Sequence, residues 1–554
     1  DAQMAGTVRT FMGATKCGPA NAYCEDPMYR WPLLVVVAIL SSQAPVLART
    51  APASQPATVS GFLGDGSGVY AHATPPTVWD DKTARNIRWK VPTPSWSCAS
   101  PIAVGKKVFI LSEPFTLICH DADTGKVLWQ RDIDPLDAFA PEHAKRAREL
   151  WAAELSKHIE AWMIVWQART GRRLIDKGPR SYRELEQTPY YFSTHEPHCY
   201  AKGTPQRKES DKIRGELARD FGLCFEYWPG WVGHTFATPV TDGEHIYVSM
   251  GWSQVACYDL DGNRRWLKWF KPDADGSYQP GLDGYPSSLF CNSPLLLDDK
   301  LIVQAGSWIR LLRKDTGQTL WEVKYKPLRF TAGTSAIMRL PGKDLLITGH
   351  EKVYDLATGK VVAEGLPEGY ASPVVHGDIA YLTNYSAHRA RDKHTTCHAY
   401  QFWVKPDGSV GVKKLWSAAG AASWTGPVYH KGRLYVDSVV LDAATGKNLA
   451  YYRGGTSMGP HAVIAGDYYF LPSKSGRTVV VQISTNQVLG TNTLLSDDPR
   501  RTFKADGPLE DVKQRWFAKG VYGLDGILVA TPVFQGRRMY IRTHEYLYCV
   551  EAPQ

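Results

Sequence analysis

The sequence predicts an all-β fold, an eight-bladed β-propeller of four-stranded antiparallel blades. Two recurring signals and one pair of broken ends predict it. The first signal is the hairpin turn Asp121-Ala-Asp-Thr-Gly-Lys-Val-Leu-Trp129, preceded by the apolar runs Val108–Leu111 and Leu117–Cys119. Gly125 supplies the positive φ of a tight turn, and the Asp and Thr side chains bond to nearby backbone N–H groups. The turn returns as Asp259-Leu-Asp-Gly before Trp266, Lys314-Asp-Thr-Gly before Trp321 and Asp355-Leu-Ala-Thr-Gly before Lys360. It comes again as Lys405-Pro-Asp-Gly before Trp416 and Asp442-Ala-Ala-Thr-Gly before Lys447. A period of roughly 40 residues with four short strands per unit is that of a propeller blade.

The second signal opens each unit. Ser100-Pro101, Thr238-Pro239, Ser293-Pro294, Ser372-Pro373 and Thr531-Pro532 each precede an apolar strand, Gly426-Pro427 is a variant, and Ser335-Ala336 and His461-Ala462 fill the same place. Proline lacks an N–H and suits the start of a strand better than its middle. These make eight openings. The last unit stops at Leu547–Glu551 without a closing Trp strand, whereas Asn86-Ile-Arg-Trp-Lys-Val91 carries Trp89 ahead of the first opening. A blade built from both ends of the chain closes the ring and removes two exposed sheet edges.

The Ala-x-Asp-x-x-Thr-Gly-Lys-x-x-Trp pattern resembles the repeat of quinoprotein-like (PQQ-like) eight-bladed propellers, and Phe62-Leu-Gly-Asp-Gly-Ser-Gly68 followed by Asn86-Ile-Arg-Trp-Lys90 looks like the start of secreted members. The family includes PQQ-dependent alcohol dehydrogenases and the propeller subunit of the outer-membrane β-barrel assembly machinery. The resemblance covers residues 61–554 less their insertions, and implies the fold more strongly than a function, because one propeller hosts enzymes and scaffolds alike.

In chain order, Asp1–Pro27 lacks periodicity and reads as a segment upstream of the native start. Met28–Ala48 has the parts of a signal peptide: Arg30, the apolar run Leu33–Leu40 and Val46-Leu-Ala48. Residues 49–60, rich in Ala, Pro and Ser, read as a tether. The expected location is therefore periplasmic or extracellular, with no transmembrane segment, since Leu33–Leu40 is far short of the ~20 residues a spanning helix needs. The formal charge of +9 is spread without a long basic run, which argues against a nucleic-acid partner. Cys119, Cys257 and Cys549 share one repeat position and Cys98 and Cys291 another, so they read as buried free thiols. Cys199 and Cys224 are the disulfide candidates.

The largest insertion, 134–231, lies between blades one and two. Pro141 starts a helix with a stripe of Leu150, Trp151, Leu155, Ile159, Trp162 and Trp166, and Gly171 ends it. Ser181-x-x-Glu184 caps a second helix. Ser210 is expected to cap a third, with Ile213, Leu217 and Phe221 inward. Connections from one blade's outer strand to the next blade's inner strand lie on the same face as the loops between middle strands. The insertions 134–231, 271–289, 386–398 and 495–524 all belong to these classes, so they gather around one channel mouth, where binding is expected.

Three constellations carry possible chemistry. Family dehydrogenases close a PQQ pocket with an adjacent-cysteine disulfide and bind Ca²⁺ nearby. This chain has no Cys-Cys pair and no Cys-x-x-Cys-His, so no cofactor is assigned, and a PQQ- or metal-dependent oxidoreductase is the alternative to the main reading. His195-x-x-His198-Cys199 and His394-x-x-Cys397-His398, with His388, have spacings that Zn²⁺ accepts, though short His/Cys pairs in polar loops are unspecific. Residues before the openings, namely Trp96, His234, Asn292, Arg329, Tyr370, Trp424 and His461, point to the channel mouth. They either fill the channel or offer flat faces and polar edges to a small molecule, carbohydrate or protein. The main reading is an exported binding or scaffold propeller, and the sequence leaves oligomeric state open.

Overall fold

The computed structural model describes residues 58–171, 173, 181–188, 200–221, 234–251, 253–270, 292–305, 308–325, 333–367, 369, 371–384, 396–421, 425–452, 460–494, 507–518 and 530–552. Its strands form eight antiparallel four-stranded sheets, one of which gains a fifth, parallel strand. Blades 1 to 6 use consecutive strands over 102–132, 240–269, 295–324, 336–363, 374–419 and 428–451, and blade 7 spans 463–493. Blade 8 spans 533–551 and takes its outer strand from the N-terminal side. The strand β2, Ile87–Pro92, pairs antiparallel with Tyr546–Glu551, as the missing strand at each end predicts.

The repeat has a packing reason. Trp89 lies on the turn glycine of blade 1, where a Cβ on Gly125 would stand 2.8 Å from the ring. Trp129 lies likewise on Gly262, Trp266 on Gly317, Trp321 on Gly359 and Trp416 on Gly446. Each indole Nε1 donates at 3.0 Å to a backbone carbonyl of that same turn: Ala122, Leu260, Lys314, Leu356 and Ala443. Every such Trp thus fastens its own blade to the next, burying apolar area while its polar edge stays satisfied.

The openings have a reason too. Ser100 N–H donates to Thr238 Oγ1, Thr238 N–H to Ser293 Oγ, Ser293 N–H to Thr334 Oγ1 and Thr334 N–H to Ser372 Oγ, at 2.9–3.2 Å. His461 N–H donates to Thr531 Oγ1 at 2.9 Å. Each hydroxyl therefore satisfies a buried N–H of the preceding blade, where a lone Pro signal suggested only a strand start. In blade 4 the acceptor is Thr334, one residue before the expected Ser335. Gly426 is required for a different reason: a Cβ there would fall on the Ser372 carbonyl oxygen.

One feature leaves no periodic trace in the sequence. Residues 58–74 enter the axial channel. Val59 exchanges backbone bonds with Ala103 (2.9 and 3.2 Å), and Ser60 C=O accepts from Thr241 N at 2.7 Å. The strand β1, Val69–Tyr70, pairs parallel with Ile464–Ala465 on the channel edge of blade 7. The Tyr70 ring meets Phe534 at 5.2 Å, Phe62 meets His461 at 5.0 Å, and Thr74 N–H donates to Gly536 O at 2.9 Å. Ordered pairing thus starts at Val59, inside the span read as a tether. The innermost strands of blades 7 and 8 are fully buried, whereas those of blades 3, 4 and 5 keep Leu295, Ile337 and Val375 half-buried and Arg339 and His376 exposed. The segment fills one side of the channel.

The insertions are helical. Helix α1 covers Pro141–Thr170 and ends on Gly171, whose φ is 68°. One turn, α2 (Tyr182–Leu185), follows Ser181, whose Oγ accepts from Glu184 N at 3.3 Å. Helix α3, Pro205–Phe221, starts five residues before the expected cap at Ser210. Thr204 is the cap, its Oγ1 accepting from Arg207 N at 3.2 Å with Pro205 at the first helical position. Ser210 instead lies buried inside α3 and donates to Glu154 of α1. Helix α4, Leu509–Ala518, belongs to the connection between blades 7 and 8. Leu150 and Ile159 are buried as the stripe predicts, but Met163, Ile164 and Val165 are buried as well. Three consecutive buried residues mean that this part of α1 is enclosed on more than one side. No helix among the described residues is long and apolar enough to cross a membrane.

Candidate functional site

The segment Ser95–Ala99, which joins β2 to the first strand of blade 1, organises the polar groups at the insertion-bearing mouth. Ser95 C=O accepts from Arg542 Nη2 at 2.6 Å and from Ser112 Oγ at 3.0 Å. Trp96 C=O accepts from Glu113 N at 2.9 Å. Its indole is fully buried and stacks on His544, with centroids 5.9 Å apart and planes at 20°. Ser97 Oγ donates to Thr235 O at 2.8 Å, which ties blade 1 to blade 2.

Glu113 is buried at the top of blade 1, yet its carboxylate is fully engaged. It accepts from Thr235 N at 2.7 Å and from Thr235 Oγ1, and its Oε2 lies 3.0 Å from His234 Nδ1. A buried carboxylate needs such partners to remain folded-in. Phe115 packs on His234 at 5.0 Å and on the cluster formed by Leu136, Ala147 and Leu217, so the helical insertion rests on this corner. Burial pushes the Cys98 thiol up to about 12, which keeps it neutral. Burial lowers Arg542 to about 9, which still leaves the guanidinium charged at neutral pH.

Of the residues expected at the channel mouth, Trp96 and His234 come together in this cluster. Asn292 lies two blades away and is spent on structure, its Nδ2 donating to Gly333 O at 2.6 Å. His461 packs against Phe62 of the channel segment, and burial lowers it to about 4. Arg329, Tyr370 and Trp424 lie outside the described residues. Arg542, Glu113 and His544 were not anticipated. All three stand at or just beyond the end of a blade's second strand, where His350, Asn384 and Asp437 stand in other blades, so their position alone did not mark them.

The second proposed metal set does not assemble as expected. Cys397 and His398 were assigned to a loop but are consecutive residues of the strand Thr396–Val404, so their side chains leave opposite faces. The Cys397 thiol is buried among Tyr381, Ala399 and Leu434, whereas His398 Nδ1 lies 2.8 Å from Ser417 Oγ. One ion cannot touch both. His195, His198, Cys199 and His394 lie outside the described residues, as do His388, Cys224 and Cys291. Cys98, Cys119, Cys257, Cys397 and Cys549 are free, and Cys119, Cys257 and Cys549 each face a blade-fastening Trp across the outer strand pair. The adjacent-cysteine pair that the resemblance would place at a quinone pocket has no counterpart in this sequence.

No family model matches this chain, and no curated protein matches it. Among solved structures it is similar to BamB from Moraxella catarrhalis, with 14% identity and a TM-score of 0.39 over 57% of this chain and 86% of that one. It is also similar to a europium-containing methanol dehydrogenase, with 12% identity and a TM-score of 0.37 over 88% and 89% of the two chains. The Dos1 propeller matches at 11% identity and a TM-score of 0.37, over 56% and 77%. These likenesses carry no argument about family or function.

Proposed function

We propose that this chain is an exported propeller that acts as a binding or scaffold module, and that its helix-bearing face holds a ligand or protein partner at the channel mouth. One observation carries the reading. Helices α1 and α4 come from the connections after blades 1 and 7, yet they clasp one another. Lys513 of α4 is 2.8 Å from Glu160 and 3.1 Å from Ser156 of α1. Both connections are of the class that emerges on this face, while the opposite face is finished by short Thr-Gly turns on which the blade-fastening indoles lie. A rigid ring bearing one elaborated face is the usual arrangement of a recognition module.

Photo-crosslinking groups at Lys145 on α1, and separately at Thr445 on a far-side turn, test the face. Both positions are exposed. Adducts with partners in the exported fraction are expected from Lys145 alone; adducts from Thr445 alone would refute the assignment. Export is tested by the N-terminus of the secreted protein, expected at or near Arg49. An intact chain recovered from the cytoplasm would contradict it.

A further inference from the structure

Arg542 ends the second strand of blade 8 and is wholly buried. Its Nη2 donates to Ser95 O, but Nε and Nη1 have no hydrogen-bond partner. Trp96 is next to Ser95 in the chain, is equally buried, and its indole Nε1 also lacks a partner. The Glu113 carboxylate favours the charged form of Arg542 from a distance, but among the described residues no carboxylate bonds to Arg542, both oxygens of Glu113 being held by His234 and Thr235. Cys98 is neutral and offers no countercharge. The corner where blades 8 and 1 meet therefore contains a buried guanidinium with no bonded countercharge, and unused donors.

A buried guanidinium without a hydrogen-bonded countercharge is costly, and so is each unmade bond of a buried donor. Water would satisfy the donors but brings no charge into contact with the guanidinium. A group that brings only acceptors and a negative charge satisfies both. We infer that the corner formed by Arg542, Trp96 and Ser95 is a binding site for a small oxyanion, a carboxylate or phosphate group of a soluble ligand. The oxyanion accepts from the open guanidinium nitrogens and from the Trp96 indole N–H, while the Trp96–His544 stack walls the site. Because neither group is exposed, the ligand enters through local opening of the mouth, and association is slow. The inference rests on reading the helix-bearing face as the binding face, since this corner lies at that end of the blades.

The test is thermal unfolding of the full mature chain in Tris buffer at constant ionic strength, with sodium chloride replaced stepwise by sodium phosphate or sodium succinate. At least one of the two is expected to raise Tm along a saturating curve that chloride does not produce. The salt acting at lower concentration identifies the group as phosphate or carboxylate. Trp96→Phe, which keeps the stacked ring but loses the donor, should weaken the apparent affinity about ten-fold. Arg542→Met should abolish the saturating rise, and in chloride alone should be no less stable than the wild type. Should Arg542→Met fail to fold, Trp96→Phe still decides. No saturating rise in the wild type, or one of unchanged midpoint in either variant, overturns the inference. General salt effects on burial persist in both variants and so are recognised. Failure here with crosslinks still confined to Lys145 would overturn the oxyanion site alone; a saturating rise with crosslinks only from Thr445 would overturn the partner face alone.

Discussion

The indole of Trp89 lies flat against Gly125, near enough that a Cβ on the glycine would stand 2.8 Å from the ring, and its Nε1 donates to Ala122 O at 3.0 Å. These residues belong to blades 8 and 1, so this contact is where the ring closes. It repeats the geometry of Trp129 on Gly262 and of Trp416 on Gly446 within the continuous part of the chain. The N-terminal strand thus closes the ring with the same fastening that joins the other blades.

Gly125→Ala tests that fastening. The residue has φ 74°, and its Cβ would have no room, so both strain and overpacking oppose the change. A loss of about 1–3 kcal/mol is expected in urea unfolding. Trp89→Ala should cost about 3–5 kcal/mol. An unchanged midpoint in both would show that the closure does not depend on this contact.

Two truncations separate closure from channel filling. A chain starting at Pro75 keeps β2 but loses the channel segment, and is expected to remain monomeric with a lower melting temperature. A chain starting at Thr93 loses β2 as well and leaves Tyr546–Glu551 as an open sheet edge, so aggregation is expected. Light scattering distinguishes the two. A monomeric, fully stable chain from Thr93 would rule out closure by the N-terminal strand.

The hydroxyl circuit predicts a position-specific cost. Thr238→Val keeps the shape but removes the acceptor for the Ser100 N–H, which is buried. An unmade bond to a buried donor costs about 1–3 kcal/mol. Thr445→Ser retains the hydroxyl that bonds Asp442 on an exposed turn, and should fall within about 0.5 kcal/mol of wild type. Equal effects of the two substitutions in chemical denaturation would mean the circuit contributes nothing.

His350 makes stability fall in acid. Burial lowers it from 6.5 to about 4, and its Nε2 lies 2.7 Å from Gln304 Nε2, so the neutral ring is the acceptor. The unfolded chain takes up a proton below 6.5 and the folded chain does not until about 4. This contribution is intact above the upper value and is lost as pH falls through the window, at most about 3 kcal/mol. His350→Gln should show a shallower decline of unfolding free energy across the window. A slope identical to the wild type would refute the assignment.

The sequence by itself determined the ring: its eight blades, their strand order, and the N-terminal strand that completes the last one. Those features come from contacts between equivalent positions of neighbouring blades, so Trp, turn Gly and the opening hydroxyl had to recur, and recurrence is visible in one dimension. Local signals also gave α1 its two ends, because Pro141 and Gly171 act on their own backbone. They failed at α3, where Ser210 looked like a cap but serves as a buried partner of Glu154 on another helix. Only the tertiary structure decided that residues 58–74 occupy the channel, since that segment bonds to blades 1, 2, 7 and 8 and repeats nothing. The same holds for the mouth. Arg542 and Ser95 are separated by 447 positions, and Glu113 and His234 by 121. Each of these polar residues is present once and is buried by the closing of the ring, so no period in the chain announces it.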